Sequence, residues 1–169
     1  MDNKTNIING QDLWEMFTAA TNWLEKSAPD IDAMNVFPVP DGDTGTNMLL
    51  TMRSTIDGID KVRNHDISSV AQAMARGALM GARGNSGVIL SQFWNGLAKG
   101  LAEKETCNGS DLADALTQAS LMAYKGLSNP VEGTILTVIK DVAVAAQMQV
   151  ASGSEGIVSI VEATVDAAN

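Results

Sequence analysis

The sequence predicts an all-α fold, a bundle of about seven helices joined by short connections. Three observations carry that expectation. Apolar residues recur at three- and four-residue spacing in one segment after another, the signature of a single buried helical face. The β-branched clusters at 134–144 and 157–165, where strands would be sought, keep helical spacing instead of alternating. Between these segments lie short stretches rich in Gly, Pro, Asn and Asp, which stop or cap helices. No strand is predicted.

The first helix starts at Asn9-Gly10-Gln11-Asp12, with Asp12 in the first turn, where the helix dipole favours a negative charge. Leu13, Trp14, Phe17, Ala20 and Leu24 form its apolar face, Thr21 is the one polar member, and Pro29 is expected to end it. A proline-rich loop follows, then a second helix from about Thr46 to Val62. The polar break Arg63-Asn64-His65-Asp66 precedes a third helix whose face is Ile67, Val70, Ala71, Met74, Ala75, Ala78 and Leu79. A fourth begins after Gly84 and carries Val88, Ile89, Phe93, Leu97 and Leu101. Asn108-Gly109-Ser110-Asp111 is a turn and N-cap for a fifth, with Leu112, Leu116, Ala119 and Ala123. Pro130 closes that segment. Glu132-Gly133-Thr134 opens a sixth, holding Ile135, Val138, Ile139 and Val142. A seventh starts near Ser154 and runs through Ile157, Ile160, Val161 and Val165. Trp14, Trp23 and Trp94 occupy core-compatible helix positions and are assigned to packing.

With 169 residues, 45% hydrophobic and 18% charged, the chain reads as one globular domain over 1–169. That length buries roughly two-thirds of the extended surface. The net charge of −9 argues against a nucleic acid or an anionic membrane as partner. A nucleotide site would therefore need a local positive field from helix ends, a metal and a few Arg or Lys. Cys107 is the single cysteine, so no intrachain disulfide forms and a reducing cytoplasm is the expected location. Met1-Asp2-Asn3-Lys4 is polar with no apolar signal core behind it, and no run approaches the ~20 apolar residues of a membrane span.

The stretch Asn35-Val36-Phe37-Pro38-Val39-Pro40-Asp41-Gly42-Asp43-Thr44-Gly45-Thr46-Asn47-Met48 concentrates the chemistry. Pro38 and Pro40 hold Phe37 and Val39 extended, a stiff strut into the loop. Alternate residues of an extended segment point the same way, so Asp41 and Asp43 can converge, with Gly42 leaving room for a ligand between them. The helix that follows offers free N–H groups and a partial positive charge, the usual place for a phosphate. Two carboxylates beside such a helix end suit a Mg²⁺-nucleotide site. The same residues also make ordinary turns, and Asp43 or Thr44 could cap the helix. A calcium loop fits worse, because counting from Asp41 puts Met52 at the twelfth position, where a bidentate Glu belongs.

A second loop, Gly77-Ala78-Leu79-Met80-Gly81-Ala82-Arg83-Gly84-Asn85-Ser86-Gly87, interrupts two good helices with glycines. Each glycine inside a helix costs about 1 kcal/mol relative to Ala. A tight bend that presents N–H groups to an anion explains them, with Asn85 and Ser86 as polar partners and Arg83 as a fixed charge. A glycine C-cap followed by a serine N-cap explains them equally well. In the third loop, Pro130-Val131-Glu132-Gly133-Thr134, Glu132 and Thr134 either complete a polar rim or cap a helix. His65 lies in a polar turn and is expected to be solvated, as is Cys107 beside Asn108-Gly109. No P-loop or Rossmann fingerprint occurs, and a single histidine gives no Ser–His–Asp set.

Together the Asp-Gly-Asp stretch, Gly81-Ala82-Arg83-Gly84-Asn85-Ser86-Gly87-Val88-Ile89-Leu90-Ser91-Gln92 and Pro130-Val131-Glu132-Gly133-Thr134-Ile135-Leu136-Thr137 resemble the N-terminal, nucleotide-binding domain of bacterial fatty acid kinase. That domain belongs with the nucleotide-binding L subunit of dihydroxyacetone kinase, also called the Dak phosphatase family. The likeness covers nearly the whole chain from about Gly10, with three long motifs in the right order. It implies an antiparallel helical barrel of seven to eight helices holding ATP or ADP with two Mg²⁺ ions at one mouth. The implied metal ligands are Asp41 and Asp43. The dihydroxyacetone kinase branch has a third aspartate five residues before the first of the pair; here that position is Val36, and Asn35 is the substitute candidate. The phosphate-covering loop maps to Gly84, Asn85 and Ser86. Thr44, Thr46 and Asn47 match the polar positions after the aspartates, Thr134 is a further cofactor-binding candidate, and Arg83 is the candidate catalytic charge.

The resemblance further implies a nucleotide-binding kinase domain that is part of a longer multidomain chain and need not act alone. Such a site works by positioning and charge neutralisation, since phosphoryl transfer leaves little covalent work to the protein. The implied acceptor is a fatty acid presented by a separate acyl-carrying protein, and a homodimer is compatible with it. Two other readings stay open: the nucleotide-binding subunit of a dihydroxyacetone-type (glycerone) kinase, which the Val36 departure argues against, and a non-catalytic ADP-binding regulatory module.

Overall fold

Asn9 opens the first helix, α1 (Gly10–Ala33), with a complete capping box. Its side chain accepts the Asp12 N–H at 3.0 Å, and the Asp12 carboxylate accepts the Asn9 N–H at 2.9 Å. Asn108 and Asp111 repeat the device at 2.8 and 3.1 Å for α5 (Gly109–Lys125). Asp66 caps α3 (Ile67–Gly81) through the Ser69 N–H at 2.6 Å, and Thr134 caps α6 (Ile135–Ala151). With α2 (Thr44–Asp57), α4 (Gly84–Gly100) and α7 (Ile157–Ala168), these make seven α-helices among the residues described by this computed structural model, 6–36, 40–62, 65–154 and 156–169.

Each helix packs on the next, and the connections are short, so neighbours run antiparallel. The N-termini of α2, α4 and α6 consequently lie at one end of the bundle, together with the C-termini of α1, α3 and α5. Trp94 of α4 is fully buried at the centre. Phe17 of α1 meets it edge-on at 4.5 Å, and the Trp94 indole N–H points at the Met52 sulfur of α2 at 3.4 Å. One apolar cluster spreads from there through Val70, Met74, Leu97, Leu116, Ile157 and Ile160. A smaller one joins Ile89 of α4, Ala123 of α5 and Leu136 and Ile139 of α6. This second cluster holds the start of α6 beside the first turns of α4.

The all-α expectation holds, with local corrections. Two short strands, β1 (Ile7–Ile8) and β2 (Cys107–Asn108), pair antiparallel where none was expected. Two residues each are too few to show alternation, and the pairing joins segments far apart in sequence. Pro29 lies inside α1 instead of ending it. It is exposed in the last turns, so only one ladder bond is lost, at the solvent side. The second helix begins at Thr44 and gives way after Asp57 to a 3₁₀ turn, Gly58–Lys61.

Trp23 is 73% exposed, not packed, and Ala20 and Leu79 also face solvent. Spacing defines the face of a helix, but the tertiary arrangement decides which flank of that face has a neighbour. Cys107, expected to be solvated, is completely buried, because β2 turns it under the start of α5. His65 is exposed as expected, and its carbonyl accepts the Gly10 N–H at 3.0 Å. The Phe37-Pro38-Val39 strut and Arg63-Asn64 lie outside the described residues. No helix among the described residues is long and apolar enough to cross a membrane.

Candidate functional site

Glycine determines how closely the site's backbone segments approach. A Cβ on Gly45 would lie 2.3 Å from the Ala28 carbonyl oxygen, so the first turn of α2 rests directly on the α1 backbone. Gly84 has φ +55°, and a Cβ there would lie 2.5 Å from Asn47 Nδ2. The first turn of α4 therefore sits against the first turn of α2. Ser86 reaches across as well, its hydroxyl 3.4 Å from the Thr44 carbonyl. Thr51, fully buried in α2, ties the α3–α4 turn to the same place. Its hydroxyl donates to the Asn47 carbonyl at 2.8 Å and accepts the Arg83 N–H at 3.2 Å.

Two helix N-termini thus open side by side, and the Asp-Gly-Asp loop borders them. Asp41 and Asp43 are exposed, with Gly42 at φ +65° between them, and neither carboxylate has a hydrogen-bond or ion-pair partner among the described residues. Asp43 occupies the N-cap position of α2 but makes no capping bond. The cap comes from Asp32, in the last turn of α1. Its carboxylate accepts the Thr46 N–H at 3.0 Å and the Thr46 hydroxyl at 2.7 Å. Those two bonds, hydroxyl first, hold the Asp32 carboxyl below the usual aspartate range.

The sequence-predicted residues divide accordingly. Thr44, Asn47, Gly84 and Ser86 come together where α2 meets α4, Thr46 turns instead to Asp32 of α1, and Asn85 and Arg83 are exposed at the edge of α4. The Thr44 hydroxyl donates to the Asn35 amide oxygen, so Asn35 is built into this loop. Thr134 is at the same end but bonds locally, accepting the Leu136 N–H at 3.3 Å and donating to the Val131 carbonyl at 2.8 Å. Beside it, Glu132 accepts the Thr137 hydroxyl at 2.9 Å and the Tyr124 hydroxyl at 3.0 Å, with Lys140 at 3.6 Å. The Thr137 bond leads in holding the Glu132 carboxyl low, while burial, then Glu132, pushes the Tyr124 phenol up.

Sequence reasoning missed Asp32 and Thr51. An acidic residue at the unfavourable end of α1, and a lone threonine in the run Met48-Leu49-Leu50-Thr51-Met52, were the available signals.

Among the described residues no three His, Cys, Asp or Glu side chains form a cage for a metal. Two carboxylates beside helix ends nonetheless suit Mg²⁺, which is ordinarily held by one or two carboxylates with phosphate oxygens and water completing its shell. Fold and site together define a class: an all-α bundle with a loop-lined, phosphate-compatible mouth. A family profile described as DAK2 domain matches residues 38–169. The chain belongs to the DAK2-domain family, the dihydroxyacetone kinase L-subunit-like group its loops resemble. It is 49% identical over 136 residues to Protein YloV of Bacillus subtilis (strain 168), covering 80% of this chain and 25% of that protein. It is 41% identical over 162 residues to an uncharacterized protein of Staphylococcus aureus (strain USA300), covering 96% of this chain and 29% of that one. The chain thus spans about a quarter of the length of the curated relatives it matches, 25% and 29%.

Proposed function

We propose that this chain is the Mg·ATP-binding domain of a cytoplasmic kinase, part of a longer chain, that phosphorylates a fatty acid carried by a separate acyl-binding protein. The observation that supports it best is the pairing of the α2 and α4 N-termini beside two carboxylates that no protein group engages among the described residues. Asp41 and Asp43 would hold the cation, with Asn35 bracing Thr44 beneath them. Mg²⁺ bound there neutralises phosphate charge and orients the transferring group. The first-turn N–H groups of α4, at Gly84, Asn85 and Ser86, donate to phosphate oxygens, and Arg83 takes up charge that develops during transfer. The absent Cβ at Gly84 lets the ligand and Asn47 share one narrow space. Membership of the DAK2-domain family supports the kinase reading, and the fatty acid acceptor rests on the likeness of the three motifs.

The deciding experiment measures ATP consumption by the full-length protein with a fatty-acid-loaded partner and, separately, with dihydroxyacetone. Consumption that needs the loaded partner is expected. Turnover with dihydroxyacetone alone reassigns the acceptor, and retained ADP without turnover on either substrate points to a regulatory module.

A further inference from the structure

An N-cap side chain ordinarily accepts the N–H of the second or third helical residue. In α2 the N-cap residue is Asp43 and the third helical residue is Thr46. Asp43 is well suited to that bond by type, yet it leaves it unmade, and its backbone (φ −124°, ψ 6°) departs from the extended geometry of a capping residue. Asp32, eleven positions earlier in the sequence, makes the bond instead at 3.0 Å and adds the Thr46 hydroxyl at 2.7 Å. Its own location opposes its charge, because the last turn of α1 carries the negative end of the helix dipole. The positive end of α2 and the two Thr46 bonds offset that. Close by, the Asp32 carbonyl is 3.8 Å from where a Cβ on Gly42 would be, so the loop runs past the same residue.

We infer that Asp32 is a positioning residue for the proposed cation site: by capping α2 across the α1–α2 loop it keeps the Asp43 carboxylate out of the cap and turned to the ligand. The inference rests on the Mg·nucleotide reading, and it assigns Asp32 no contact with metal or phosphate. Thr46 takes on a different role from its loop neighbours, since its hydroxyl proton is committed to Asp32.

The test measures the Mg²⁺ dependence of ADP binding by calorimetry in the full-length protein. In Asp32→Ala the vacated Thr46 N–H competes for Asp43. The Mg²⁺ concentration at half-saturation should rise about fivefold, the order of change that loss of one helix cap produces in an equilibrium constant. Asp32→Asn keeps an amide oxygen for the Thr46 N–H and should restore most of the Mg²⁺ dependence. A cap with only a structural role would lower the melting temperature of Asp32→Ala and leave half-saturation unchanged, and that result overturns the inference. Should the wild-type protein bind no Mg·ADP, the proposed function fails, and the inference is decided without metal. The Asp43 carboxyl carbon resonance, read by aspartate-selective labelling, shifts in Asp32→Ala if Asp43 moves into the cap. An unmoved resonance overturns it.

Discussion

Single residues in this chain are decided by what the fold puts next to them. Cys107 is the clearest case. Burial pushes its thiol up to about 12, with Asp111 adding to the effect, so almost no thiolate exists at neutral pH. It should react with a disulfide reagent at pH 8 only after denaturation, and fast labelling of the native protein would contradict the buried placement. Asp66 behaves oppositely. The Ser69 N–H, then its hydroxyl at 2.8 Å, holds the carboxyl below the usual range. A depressed folded-state pKa stabilises the protein above the unfolded value and loses that contribution as pH falls through the folded one. Asp66→Ala should therefore cost about 1 kcal/mol at pH 7 in urea melts, with the gap to wild type closing as pH drops below the ordinary aspartate pKa. A gap of the same size at pH 7 and pH 2 would mean the loss comes from packing.

At the scale of elements, the α3–α4 turn and the first turn of α4 carry the sharpest test. Ser86 is the third helical residue of α4, so its N–H has no partner within the helix. Proline there deletes a donor that the fold does not use, and a helix tolerates it in its first turn. Ser86→Pro should keep the melting temperature near wild type and abolish Mg·ADP binding in calorimetry. Ser86→Ala, which removes only a long 3.4 Å hydroxyl contact, should keep nearly full affinity. Gly84→Val should fail in binding too, since its positive φ excludes β-branched side chains and a Cβ would press on Asn47. Equal affinities across the three variants would make this loop a mere connection between helices.

For the whole molecule, a ligand that clamps α2 against α4 stabilises the fold by mass action. Saturation at 100 times the dissociation constant adds about 2.7 kcal/mol, a rise of a few °C for a domain of this size. Mg·ADP should raise the melting temperature and EDTA should remove the gain; an unchanged curve at saturating Mg·ADP counts against the site. Helix existence and order were legible in the chain, because periodicity, Asn9, Asn108 and Thr134 are local signals that act over three or four residues. The turns at Asp41-Gly42-Asp43 and at Arg83-Gly84-Asn85-Ser86 were legible as helix starts too, since glycine beside Asp, Asn and Ser is a local signal. Other features needed the third dimension. The burial of Cys107 comes from pairing 107–108 with 7–8, and the exposure of Trp23 from which flank of α1 lacks a neighbour. The division of labour between Asp32 and Asp43 depends on α1 doubling back so that its last turn meets the first turn of α2. A sequence determines by itself what short-range geometry can express, whereas contacts closed by a loop depend on where the rest of the chain packs, and here that packing decided which aspartate caps α2 and which leaves the cap unmade.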